Sequence, residues 1–202
     1  MVPERVAAAL RAAARPVCAY VYDPATLRER AAAVRAALPA TATLLYAVKA
    51  NGHPAVVGTL AEATDGLEVA SGGELDLAVG AGARRVAFGG PAKTPAELAG
   101  AVAAGATVNA ESVLELRRLV RAAAGRPVRV ALRVNRAGAA PPGSHQMTGT
   151  ATPFGLDVAD LAEAVAELRV GDVLVFARTG AYGWDISHHE FLRHPHPQVL
   201  VR

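Results

Sequence analysis

The residues with the clearest chemical potential lie in the stretch Tyr46-Ala47-Val48-Lys49-Ala50-Asn51. An apolar run, Leu44-Leu45-Tyr46-Ala47-Val48, ends in a single lysine and is closed by Asn51-Gly52 and Pro54. Such a run reads as a buried strand ending in a loop. Lysine is rarely buried without a partner or a task. Of the 21 basic residues only Lys49 and Lys93 are lysines, and the other 19 are arginines. The chain therefore uses arginine wherever a fixed positive charge is enough. Arginine stays protonated in proteins, whereas a desolvated lysine can lose its proton and attack a carbonyl as a free amine. Lys49 is thus a candidate Schiff-base residue. Against this stands a strand-end lysine whose stem lies on apolar surface and whose ammonium reaches water, and position alone favours that second reading.

The elements that must position Lys49 follow from hydrophobic periodicity and punctuation. Residues 3–14 read as a short alanine-rich helix broken at Pro16, and Val17–Tyr22 is β-prone. Asp23-Pro24 starts a helix running to about Leu38. After the Lys49 strand the alternation is regular. Helices are expected over Pro54–Ala63, from Glu74, from Thr94-Pro95 to about Ala103, over Ser112–Ala124 and from Asp157 to about Leu168. Strands are expected at Gly66–Ala70, Arg85–Phe88, Thr107–Asn109 and Val128–Val134, with a Gly/Pro/Ser/Thr-rich loop from Asn135 to about Pro153. Five short apolar strands separated by helices predict parallel β/α units, with a (β/α)8-type barrel as the leading architecture. Functional residues of such barrels lie at strand C-termini. Lys49, Glu68–Ser71, Gly89-Gly90, Asn109 and Arg133 all fall there. Eight units need about 250 residues, and five precede Leu168. Beyond it, Val173–Phe176 reads as a strand and Thr179–Gly183 as a small-residue loop, followed by a His- and Pro-rich tail. The expected organisation is an N-terminal helix and strand (1–22), a partial barrel (23–168) and the closing part of a β domain (169–202).

Composition narrows the function classes. The chain has 202 residues, is 52% hydrophobic, and carries a net charge of +3 with 4% aromatic residues. The charge is scattered, without the clustered basic face and interleaved aromatics of a nucleic-acid binder. No apolar stretch is long enough to span a membrane. A single cysteine, Cys18, and the absence of a secretory signal fit a reducing, cytoplasmic setting. His188, His189, His194 and His196 lack the cysteine or acidic partners of usual metal sites, so no metal is expected. Ser71-Gly72-Gly73 reads as a helix start rather than a phosphate loop.

The chain resembles the ornithine/diaminopimelate decarboxylase family, whose members are pyridoxal 5'-phosphate (PLP) enzymes with an alanine-racemase-like (β/α)8 barrel and a β-sandwich domain. The resemblance rests on Tyr46–Asn51, Glu68–Leu75, Gly89–Thr94, Leu132–Asn135, Phe154-Gly155-Leu156 and Gly180-Ala181-Tyr182, in family order. His145–Gly149 ahead of Phe154-Gly155, and Trp184–His189 with Phe191–Pro195, are most similar to the siderophore-pathway branch, which acts on citrate-conjugated diamino-acid intermediates. The resemblance implies a decarboxylase in which Lys49 carries PLP and moves protons. It implies that Glu68 and Glu74 belong to the cofactor-side network, and that Arg133 lies near cofactor and substrate. It also implies that Tyr182 reaches the cofactor from the β domain. Taken singly, each of these also has a plain structural reading: an exposed acid, a first-turn helix residue, an ion pair, a packed ring. The resemblance further implies a small amino-acid-like substrate and, for an intact member, a homodimer.

Several family motifs have no counterpart in this sequence: the ring-stacking histidine, the glycine-rich loop and Glu-Pro-Gly-Arg segment that hold the phosphate and ring nitrogen, and the catalytic cysteine. Cys18 stands in the N-terminal strand instead. The expectation is an internally shortened member with impaired decarboxylation. A non-catalytic PLP-binding protein or an inactive remnant is the alternative.

Overall fold

The computed structural model describes residues 3–12, 21–135, 154–166 and 174–175. In it the expected β/α alternation forms one parallel sheet. Strands β1 (Leu45–Ala47), β2 (Gly66–Val69), β3 (Val86–Phe88), β4 (Thr107–Ala110) and β5 (Val130–Leu132) lie side by side in chain order. Helices α1 (Glu4–Ala12) and α2 (Pro24–Ala37) precede them. Between successive strands run α3 (Pro54–Ala63), α4 (Gly72–Gly80), α5 (Pro95–Ala103) and α6 (Val113–Ala123). This is the arc of an incomplete (β/α)8-type barrel.

The register explains why the sheet has two unlike faces. Leu67 pairs with Val86, and Phe88 with Val108, which pairs with Val130. Side chains in register share a face. That face packs against the helices through fully buried Leu67, Phe88, Val108 and Leu132, meeting Val57, Leu75, Leu98 and Leu116. Each such large apolar side chain contributes about 1.5–3 kcal/mol on burial. The opposite face carries the alternate positions. Ala47 pairs with Glu68, Glu68 with Ala87, Ala87 with Thr107, and Asn109 with Ala131. Small and polar residues therefore collect on the side without helices.

Local chemistry sets the helix starts. Asp23, Ser71, Thr94 and Ser112 cap α2, α4, α5 and α6 with their side-chain oxygens. Thr94 and Glu97 form a reciprocal capping box. The second oxygen of Glu97, Oε1, accepts from the Gly72 amide at 2.8 Å and so joins the starts of α4 and α5.

Three expectations are corrected in detail. Helix α4 begins at Gly72 rather than Glu74, because Ser71 is its cap and the Glu97 carboxylate satisfies the first amide. The strand expected over Val128–Val134 is divided at Arg133. Val130–Leu132 stays in the main sheet, while β6 (Val134–Asn135) pairs in parallel with β7 (Leu156–Asp157). The third concerns the tail. The sequence places Val173–Phe176 in a following β domain, but its described part, β8 (Leu174–Val175), pairs in parallel with β5 and takes the sixth place in the barrel sheet. The outer edge of β5 offers unpaired backbone groups that a short apolar segment can satisfy. Between β7 and β8, a 3-10 turn (Val158–Asp160) leads into α7 (Leu161–Ala166), within the expected helix. The rest of the tail, the loop 136–153 and most of the β-prone Val17–Tyr22 run fall outside the described residues. The end of that run, Val21-Tyr22, lies in no regular element.

Candidate active site

The site sits where the strands end. After β1 the chain enters a 3-10 turn, Val48–Ala50. Val48 is fully buried and anchors the turn in the core. Tyr46 braces it from the strand by donating its hydroxyl to the Asn51 carbonyl at 3.1 Å. Lys49 is held between these two anchors. Its Nζ lies 3.2 Å from Glu68 Oε2 and 3.4 Å from Oε1. Both side chains are largely covered, at 16% and 18% exposure. Burial pushes the Glu68 carboxyl up from its ordinary value, and Lys49 pulls the other way. The arrangement sets an amine directly against a carboxylate at the strand ends.

Glu74, in the first turn of α4, is almost fully buried and accepts from the Ala70 amide at 2.7 Å through Oε2. Burial pushes it up to about 7; the negative charge of Glu68 adds to the rise, while the Ala70 amide and Lys49 oppose it. Glu74 and Glu68 therefore compete for the field of one ammonium.

Arg133, directly after β5, places Nη1 3.1 and 3.2 Å from the two oxygens of Glu111. Its guanidinium carbon stacks 4.8 Å from the centre of the Phe154 ring. Glu111, just past β4, also accepts from the Gly155 amide at 3.2 Å, and the Leu156 amide reaches the Arg133 carbonyl at 2.7 Å. These bonds bring the Phe154-Gly155-Leu156 segment against the β5 end. Gly155 has φ +82, and a Cβ there would stand 3.0 Å from the Asn135 nitrogen and 3.1 Å from the Arg133 carbonyl, so only glycine fits.

A further gap lies between the two halves of the site. A Cβ at Gly89 would stand 3.0 Å from Glu68 Oε1 and 3.6 Å from Asn109 Nδ2. Glu68 and Asn109 thus flank one point on the sheet face, and glycine keeps it clear. The structure brings Lys49 and Glu68 into contact and sets Glu74 within their field. Arg133 is placed at the same strand ends, on Glu111. Tyr182 and the tail histidines lie outside the described residues. Glu111 was not singled out from sequence. The available signal was an acid directly after a strand and before the cap Ser112. Among the described residues no cluster of histidine, cysteine and acids is placed to hold a metal.

A lysine paired with an acid beside the small residues Ala87, Gly89 and Ala131 fits a flat aldehyde cofactor. The fold is thus a parallel β/α barrel sheet with a lysine–acid pair at the ends of its strands. Comparison with known proteins makes the class specific: the family model "Pyridoxal-dependent decarboxylase, pyridoxal binding domain" matches residues 24–174, and the chain belongs to this family.

Among curated relatives, a Staphylococcus aureus 2-[(L-alanin-3-ylcarbamoyl)methyl]-2-hydroxybutanedioate decarboxylase is 36% identical over 162 residues, covering 77% of this chain and 40% of that protein. A Neisseria meningitidis diaminopimelate decarboxylase is 37% identical over 152 residues, covering 72% and 37%. Among solved structures, diaminopimelate decarboxylase from Helicobacter pylori complexed with L-lysine superposes with TM-score 0.70 at 25% identity, covering 84% of this chain and 44% of that one. The chain spans about 40% of the length of the curated relatives it matches.

Proposed function

We propose that this chain holds pyridoxal 5'-phosphate on Lys49 and serves the decarboxylation of an amino acid or amino-acid conjugate. The observation that carries the reading is the Lys49–Glu68 pair, 3.2 Å apart at the strand ends of a pyridoxal-binding barrel. The bound cofactor supplies an electron sink for the charge left when carbon dioxide departs. The chain's own residues do the rest. Glu68 takes and returns the proton at Lys49 Nζ. Glu74, raised to about 7, carries less negative charge near neutral pH than an ordinary glutamate would. Glu111 neutralises Arg133 and fixes its plane against Phe154, making a rigid wall at the end of β5. Gly89 leaves the space beside Glu68. Tyr182 is proposed to add a contact from the C-terminal part.

The first relative named above favours a carboxylate-rich conjugate of a diamino acid, of the siderophore-intermediate type, over free diaminopimelate. The proposed setting is cytoplasmic and the proposed assembly a homodimer. The second reading is PLP binding without decarboxylation.

The test is direct because the chain has two lysines. PLP is titrated into the protein, the visible absorbance is followed, borohydride is added and the pyridoxyl adduct is mapped by mass. Carbon dioxide release is then measured with meso-diaminopimelate and with the citrate–diaminopropionate conjugate. An adduct on Lys49 that disappears in Lys49→Ala, with gas release, supports the decarboxylase. An adduct without gas supports the second reading, and no adduct on Lys49 refutes both.

A further inference from the structure

The other lysine is buried more deeply than Lys49. Lys93 is 3% exposed. Its ammonium has three N–H donors, and it meets three acceptors: the Gly90 carbonyl at 2.6 Å, the Asn109 carbonyl at 2.8 Å and Glu115 Oε1 at 2.7 Å. The Phe88 ring centre lies 5.5 Å away. The acceptors belong to three separate elements: the turn after β3, strand β4 and the first turn of α6.

The turn it grips is strained. Gly90 has φ +87 and Ala92 has φ +63, and Ala92 is one of two non-glycine residues with positive φ among the described residues. An L side chain disfavours that backbone, so it persists only where its surroundings enforce it. The same turn starts at Gly89, the residue that clears the space between Glu68 and Asn109. A buried ion pair is weak evidence for stability, because an apolar pair of similar volume often serves as well. Placement is the better explanation: Lys93 holds the Asn109 backbone on one side and the Gly90 backbone on the other.

We propose that Lys93 is a positioning residue, whose ammonium pins the β3–α5 turn to β4 and α6 and so fixes Gly89 and Asn109 beside Glu68, where the cofactor meets Lys49. This rests on the reading of Lys49 given above. It also explains why two lysines can coexist in one small barrel without competing for one aldehyde, since Lys93 has every donor committed.

Lys93→Met alone leaves Glu115 buried without its partner and can unfold the protein. The informative variant is Lys93→Met with Glu115→Leu, which removes both charges and keeps the volume. Three quantities are compared with wild type: the thermal midpoint, amide exchange by mass spectrometry and the PLP dissociation constant. The expected outcome is a midpoint near wild type and faster exchange confined to residues 89–94 and 109–111. The dissociation constant should rise about tenfold or more, as loss of outer support does in other sites, with the borohydride adduct still on Lys49. A folded double variant with wild-type exchange and wild-type affinity overturns the proposal. So does a double variant that fails to fold, which would make the pair a fold support. If wild type itself takes up no PLP, the reading of Lys49 fails, while the exchange comparison still decides whether Lys93 holds the turn.

Discussion

Burial of two carboxyls, Glu68 and Glu74, beside one lysine sets the pH behaviour of the site. Burial raises Glu74 from 4.5 to about 7, so the folded protein binds that proton more tightly than the unfolded chain. Its contribution to stability is complete below the ordinary value and is lost as pH rises through 7. Glu74→Gln keeps an oxygen for the Ala70 amide and removes the charge. Relative to wild type it should gain stability between pH 5 and pH 8, by roughly 2–3 kcal/mol at the upper end. Melting curves of the two proteins across that range should diverge with pH, and parallel curves would refute the assignment. Lys49 was legible in the sequence because a lysine at a strand end stands out among 19 arginines. Glu111 was not, because a single acid after a strand looks like any solvated residue until the fold places Arg133 against it.

At the scale of elements, glycine separates what holds the sheet together from what keeps the site open. A Cβ at Gly66 would stand 2.2 Å from the Arg85 carbonyl, in the backbone that β2 pairs with, whereas one at Gly89 would meet the end of the Glu68 side chain at 3.0 Å. Gly66→Ala should lower stability by about 3 kcal/mol through forced separation of β2 and β3. Gly89→Ala should change the thermal midpoint little and weaken PLP uptake, since only Glu68 must move. Denaturation curves beside a PLP titration distinguish the two; equal stability losses would show that Gly89 is structural. The helix starts were readable where capping chemistry is local, as in Thr94-Pro95 with Glu97. The division of Val128–Val134 was not, because it depends on Glu111 and Gly155, residues distant in sequence that seize the chain at Arg133.

For the whole molecule, the alternation of strand and helix sufficed to identify a parallel sheet, since only helices on one face can bury so many short apolar strands. Leu174–Val175 escaped it because a four-residue apolar run suits a barrel strand and a sandwich strand equally. The same architecture predicts where the molecule opens last. Strands β2, β3 and β4 have neighbours on both sides and pack on α3–α6, while α1 is tied to α2 through the exposed Arg5, which reaches Asp23, Thr26 and Glu29. Such surface pairs contribute at most about 1 kcal/mol. Native-state hydrogen exchange should therefore give α1 the fastest amides and β2–β4 the slowest; comparable protection in α1 would contradict this picture. One joint in this frame has a mechanical meaning. Glu97 closes the starts of both α4 and α5, and Gly72, the amide it grips, is two residues from Glu74. Helix α5 is thereby joined to the helix start that carries Glu74. Moving α5 alone would break the Glu97–Gly72 bond, so a single carboxylate acts as the axle between two rods.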